Sequence, residues 1–171
     1  MTTSRDHDPP MGGYTALTSV FLAGAGAALT ALDRKQKLPE RIAPSDLALL
    51  GVATYSLSRT LTRDRVTAFL REPFAKVQGP AGRGEVKSEP QGSGFRKAVG
   101  ELVICPFCIG QWVATAGLVG LCVAPRPTRF VASVFVVRAV AESVNLAHEA
   151  ATAEIDKAEA SKKIVQEAVA A

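Results

Sequence analysis

The sequence predicts an all-α, multi-pass transmembrane protein with three to four spans, an interfacial amphipathic helix and a C-terminal soluble helix. Three observations predict it. Charge is segregated: no Asp, Glu, Lys or Arg falls between Pro9 and Leu32 or between Leu102 and Pro125, while Arg59–Lys97 and the stretch after Glu149 are dense in charge. A helix crossing the hydrocarbon needs roughly 20 apolar residues and its connections stay in water, whereas a soluble core would intermix the two. The basic residues gather beside the apolar stretches, where the positive-inside rule expects them. Finally, 47 % hydrophobic and 21 % charged residues in a chain of 171 is an ordinary average for one domain, so the segregation, not the mean, carries the class.

Residues 1–12, polar and with two prolines, are expected to be poorly ordered. The stretch from Tyr14 to Leu32, 19 apolar residues within an N-terminal span over 13–33, is just long enough to cross. A signal peptide fits less well, because Asp6 and Asp8 outnumber Arg5 before it and the apolar run is too long. Gly24, Gly26 and Ala28 form a small-residue groove that another helix could approach closely. After the charged connection Asp33–Arg41, Pro44 and Ser45 or Asp46 start a core membrane domain over 44–147. Its first segment, 44–61, is a marginal span that crosses only if Arg59 and Arg63 snorkel to the headgroups. Residues 62–73 then form an interfacial helix presenting Leu61, Val66, Phe69 and Leu70 to the lipid boundary. Residues 75–98, dominated by Gly, Pro, Ser and charge, are expected as a flexible loop.

Two further spans cover 102–125 and 129–147. Pro125–Arg129 should form a tight turn between them, with Thr128 capping the second, so that the two run antiparallel. The tail, 148–171, is rich in Ala, Glu and Lys and should be helical in water, with an apolar stripe at Ala151, Ile155, Ala158, Val165 and Val169 interrupted by Lys162. With four spans, the N-terminus, the 59–101 loop and the tail hold 13 Lys and Arg against 6 in the two short turns, which puts loop and C-terminus in the cytoplasm. If segment 44–61 lies on the surface instead, only 3 remain outside. Both topologies stay open, and they differ over the N-terminus.

Polar residues inside the apolar segments are the first candidate site. Arg138, Glu142 and Asn145 share one face of the last span. A lone charge at that depth costs about 2.5–3.5 kcal/mol, so these groups should meet protein. Gln111 and Thr115 lie at about the same depth on the antiparallel neighbour, and Arg59 can approach from the marginal span. A polar cluster of Arg59, Gln111, Thr115, Arg138, Glu142 and Asn145, pairing helices, is expected.

Cys105 and Cys108 are the second candidate. They lie one helical turn apart at the start of a span, with Pro106 suited to the first turn. The positive end of a helix dipole favours thiolate there. "VICPFC" is similar to the active-site string of glutaredoxins, but the likeness ends after six residues and lacks their βαβ setting. A metal site needs further ligands: Cys122 lies 14 residues beyond Cys108, about 21 Å along a helix, and His7 and His148 are the only histidines. Two copies could still pool their CxxC pairs around zinc in a dimer; otherwise no cofactor is expected. Redox, metal and packing roles stay open. Trp112, one turn further, reads as an interface anchor.

"ATYSLSRTLTRDRVTAFLREPF", a Gly-rich gap, "GELVICPFCIGQWVATA" and a last hydrophobic helix together resemble the bacterial membrane family catalogued as domain of unknown function 1360, which includes small sporulation-associated proteins. The resemblance covers roughly Leu47 to Ala147. Arg59, Asp64, Arg65, Thr67, Arg71, Pro73, Phe74, Glu101, Cys105, Pro106, Cys108, Gly110 and Trp112 match the family pattern. It implies a helical multi-pass membrane protein and no reaction; the extra N-terminal span and the Ala-rich tail depart from the compact family form.

The expected function is therefore a non-enzymatic integral protein of the bacterial cytoplasmic membrane, an accessory or scaffold subunit. The motivating feature is the lack of an acid, base and nucleophile set, a phosphate loop or an HExxH motif. Its partners would be the lipid bilayer and other membrane subunits or copies of itself. The alternative is a membrane thiol redox protein or a dimeric thiolate metal site. A net charge of +4 invites nucleic acid, but no basic patch interleaved with aromatics occurs, so none is expected. Three cysteines, an odd number, argue against a secreted disulfide scaffold.

Overall fold

The computed structural model describes residues 9–170, apart from the side chains of 163–165 and 167–170. Expectations for the first eight residues and for Val165 and Val169 in the tail stripe lie outside the described residues; Met11 and Gly12 already belong to the first helix. The elements in order are α1 (Met11–Arg34), α2 (Pro44–Arg63), α3 (Ala68–Arg71), β1 (Ala75–Gly82), β2 (Glu85–Pro90), α4 (Gly94–Ile104), α5 (Pro106–Val123) and α6 (Pro125–Ala170). The chain divides after Val136 into two units. The fold is mostly helical, and α1, α5 and α6 as far as Lys162 are long and apolar enough to cross a membrane.

In the first unit, α2 runs antiparallel beside α5. Leu50 packs where a side chain on Gly117 would stand, Ser58 lies opposite Gly110, and Asp46 receives both Nε and Nη2 of Arg129 at 2.8 Å. Leu50, Ala53 and Ala132 are the buried centre of this seam, with Leu118, Leu121 and Phe135 packed around them. Although α2 is not itself among the helices apolar enough to cross, its 20 residues match the 18 of α5, about 30 and 27 Å. At its start, α1 leans on α4: Gly13 has no room for a side chain against Ala98, and the Tyr14 hydroxyl donates to Glu101. Two turns further, the Phe21 and Trp112 rings meet edge to face at 5.1 Å, so α1 and α5 leave the α4 end of the bundle in the same direction. Gly24 and Gly26 face open space.

Residues 75–98 correct the expectation of a flexible loop, and the all-α class with it. They form an antiparallel hairpin and the first turn of α4, with Ala75 opposite Pro90 and Gly82 opposite Glu85. Arg83 and Gly84 both take positive φ, 48° and 79°, as a two-residue hairpin turn requires. The strands are irregular, with bulges at Val77/Gly79 and Pro80/Gly82 that admit the proline. Only Ala75 and Val86 of the hairpin are buried, which explains why no alternation marks it. Gly100 of α4 seats it: a side chain there would stand 2.5 Å from the Phe74 carbonyl and 2.9 Å from Pro90.

The interfacial helix expected over 62–73 is likewise shorter. Helix α2 ends at Arg63, Asp64 is extended, and only Ala68–Arg71 is helical again, with Val66, Phe69 and Leu70 exposed. The single span expected over 102–125 is two helices, because Cys105 adopts an extended conformation (φ −103°, ψ 108°) before Pro106, as the ring of a following proline demands. The turn expected at Pro125–Arg129 is instead the single residue Ala124. Helix α6 already starts at Pro125, and Thr128 lies inside its first turn, donating to the Ala124 carbonyl at 2.8 Å. The second unit, from Val137, is the remainder of α6, with an exposed Lys157–Glu154 ion pair at 2.8 Å.

Candidate functional site

The α4–α5 junction is built by the CPFC string. Pro106 takes the first position of α5, and Cys105 caps it, its Sγ accepting from the Cys108 amide at 3.2 Å. The Ile109 amide donates to the Cys105 carbonyl at 3.1 Å, which fixes the turn. One turn of backbone therefore brings the two Cα atoms to 5.3 Å, and the sulfurs are paired as a disulfide. Cys108 is exposed, Cys105 half-buried, and Cys122 is a free thiol near the other end of α5. Among the described residues no three of His, Cys, Asp and Glu gather into a group that could hold a metal ion. One CxxC thus offers two donors of the four that a structural zinc needs.

A groove opens on either side of this junction. The first, about 550 Å³, lies between the C-terminal half of α2, the start of β2 and the first turns of α5, and is lined by Tyr55, Ser58, Arg59, Arg63, Glu85 and Phe107 among others. In it Arg59 Nε and Nη2 both reach Glu85 Oε1 at 2.7 Å, and Nη1 donates to the Tyr55 hydroxyl at 3.2 Å. The second, about 440 Å³, lies between α1, α4 and α5, where Tyr14, Glu101, Cys108, Gln111 and Trp112 face one another.

Below the first groove, Arg71 ties the end of α2 to the segment that leads into β1. It is 2 % exposed. Its Nη1 donates to the Leu61 carbonyl at 2.5 Å and to Thr67 Oγ1 at 2.9 Å, and Nη2 to the Asp64 carbonyl at 3.0 Å. Thr67 Oγ1 in turn shares its proton between the carbonyls of Thr60 at 2.5 Å and Asp64 at 3.1 Å. Carbonyls left unpaired where a helix stops need such donors. Burial lowers the pKa of the Arg71 guanidinium, Asp64 opposes that shift and Arg63 adds to it. The hairpin tip docks on the same corner, through Arg65 N–H to the Gly84 carbonyl at 2.9 Å and the Arg59–Glu85 pair.

Arg59 lines the first groove and Gln111 the second. Thr115 donates to the Gln111 carbonyl at 2.9 Å within α5. Arg138, Glu142 and Asn145 belong to the second unit, where Arg138 and Glu142 each have an interaction partner. Trp112 packs on Phe21. Sequence reasoning missed Glu85, Ser58 and Tyr55. Glu85 stands 26 residues from Arg59 across the hairpin, a distance no helical or strand period can signal.

Residues 49–148 match the family model described as "Protein of unknown function (DUF1360)". The chain belongs to this family. It is also similar to the sporulation protein YjcA of Bacillus subtilis (strain 168), 34% identical over 84 residues that cover 47% of this chain and 70% of the relative. No solved structure matches. The DUF1360 segment contains the whole lining of the first groove and the CPFC junction, whereas the α1 wall of the second groove lies outside it.

Proposed function

We propose that this DUF1360 protein is a non-enzymatic integral protein of the cytoplasmic membrane, an accessory or scaffold subunit that pairs with other membrane subunits or with itself. One observation carries the reading: hardly a residue in the long apolar helices α1, α5 and α6 is fully buried, and Val20, Leu22 and Leu29 of α1 and Phe130, Val131 and Val134 of α6 stand exposed, so lipid or a partner helix must cover them. The open faces of Gly24 and Gly26 suit a close helix contact. Four crossings are favoured, because Tyr14 keeps the start of α1 at the α4 end and α2 returns alongside α5 to that end. The hairpin end then holds the dense Lys and Arg of residues 59–101 and faces the cytoplasm. The relative is called a sporulation protein; α1 and the tail beyond 148, outside the family segment, suit a subunit of a larger assembly. Native electrophoresis and affinity purification of the full chain from detergent extracts test the role. A complex larger than the monomer is expected, weakened in Arg138→Ala and Glu142→Ala; unchanged levels and complexes in both variants contradict it.

The placement of the CPFC pair on the first turn of α5 supports a second reading, a thiol redox protein in which Cys105 and Cys108 pass two electrons and two protons to a disulfide partner. The exposure of Cys108 at the start of α5 supports it. Alkylation across pH with intact-mass readout should find a reversible disulfide and a thiol of depressed pKa; ordinary reactivity without disulfide under oxidant removes it.

A further inference from the structure

The first groove has a chemistry that a scaffold does not require. It holds two guanidinium groups, Arg59 and Arg63, against one carboxylate, Glu85, so one positive charge is in surplus. Glu85 is committed to Arg59, while Arg63 is exposed and makes no ion pair among the described residues. Tyr55 accepts from Arg59, which leaves its own hydroxyl proton free to donate. Ser58 adds an independent sign. It is 2 % exposed, lines the groove facing Gly110, and its Oγ has no hydrogen-bond partner. A buried hydroxyl left unpaired costs free energy, so an acceptor in the groove would relieve it. The groove also opens at the N-terminal turn of α5, an 18-residue helix whose dipole favours negative charge there. Phe107, 91 % exposed, stands on its wall as an apolar surface beside the charges.

We propose that this groove binds the phosphodiester group of an anionic glycerophospholipid: Arg63 supplies the charge, the Ser58 and Tyr55 hydroxyls donate to phosphate oxygens, and Phe107 lies against the lipid's apolar part. The single surplus charge matches the single charge of a diester. Hydrogen-bond donors around a lone arginine select phosphate over a bare apolar ligand. The assignment rests on the membrane reading for the source of the lipid, but not for the chemistry of the groove.

The test is native mass spectrometry of the full chain in non-ionic detergent, titrated with phosphatidylglycerol, with phosphatidylcholine and with inorganic phosphate. Phosphatidylglycerol should be retained about tenfold more tightly than phosphatidylcholine, the size expected for one charge-assisted contact. Arg63→Gln should erase that preference, Ser58→Ala should weaken phosphatidylglycerol severalfold, and Lys37→Gln, in the α1–α2 connection, should leave it intact. Equal retention of the two lipids overturns the proposal, as does an equal loss in Lys37→Gln, which would mean diffuse surface attraction. Inorganic phosphate displacing phosphatidylglycerol at equal concentration also overturns it in favour of a free-anion site. Failure of the membrane reading is seen separately, as a chain that remains in the supernatant of lysed cells without detergent.

Discussion

At the scale of single residues, Arg71 is where structure exceeds what the sequence discloses. Three donated hydrogen bonds from one buried guanidinium end α2 and orient the chain into the hairpin. Removing them leaves the Leu61 carbonyl without its donor and the Asp64 carbonyl with Thr67 alone, a loss of about 1–3 kcal/mol. Arg71→Ala should therefore lower the melting temperature of the detergent-solubilised protein, and Arg71→Lys should restore only part of it, since an ammonium cannot reproduce the planar fork. Equal melting of Arg71→Ala and the parent chain would contradict this role. The CPFC string is legible in the sequence because its chemistry is local: spacing and a proline suffice to place two thiols on one turn. The Arg59–Glu85 pair is not, because Arg59 reads as a headgroup or polar-cluster cation of the marginal span and Glu85 as part of a loop, and only the hairpin turn brings them together.

At the scale of elements, long apolar runs are legible and irregular ones are not. Helices α1 and α5 announce themselves by long apolar sequence, and the first half of α6 by an apolar run from Phe130 to Ala147 whose only charges are Arg138 and Glu142. The hairpin does not, since Pro80 and four glycines from Gly79 to Gly92 resemble linker composition. Its order comes from a turn with two positive φ values and from seating on α4. Gly100 is the seat. Gly100→Val should push α4 off Phe74 and Pro90, cost about 2 kcal/mol or more through overpacking, and raise protease cleavage between Ala75 and Pro90. Cleavage at the parental rate would show that the hairpin is held in another way. The break at Cys105 is half legible: a proline favours a helix start, but continuous apolar sequence on both sides hides the helix end before it. The shortening of 62–73 is hidden for the complementary reason, because the donors that stop α2 lie four and eight residues beyond Arg63, at Thr67 and Arg71.

At the scale of the whole molecule, segregation of charge gives three helices long and apolar enough to cross a membrane, and packing adds what composition leaves ambiguous. Helix α2 carries too many polar residues to qualify as a span by itself, with Ser56, Ser58 and Thr62 all buried. Those small polar side chains let it lie close to its neighbours, and Thr62 satisfies itself on the Ser58 carbonyl at 2.8 Å. A helix covered on its polar face by protein can cross where a lone helix of that composition would not. Crossing by α2 fixes the side on which every other segment lies. The most direct measurement is labelling of intact and lysed cells with an impermeant maleimide, in a chain with Cys105, Cys108 and Cys122 replaced by Ser and a single new cysteine at Gln36, Lys87 or Lys157. With four crossings, Gln36→Cys should label in intact cells, whereas Lys87→Cys and Lys157→Cys should label only after lysis. Labelling of Lys87→Cys from outside, or protection of Gln36→Cys until lysis, would contradict that topology.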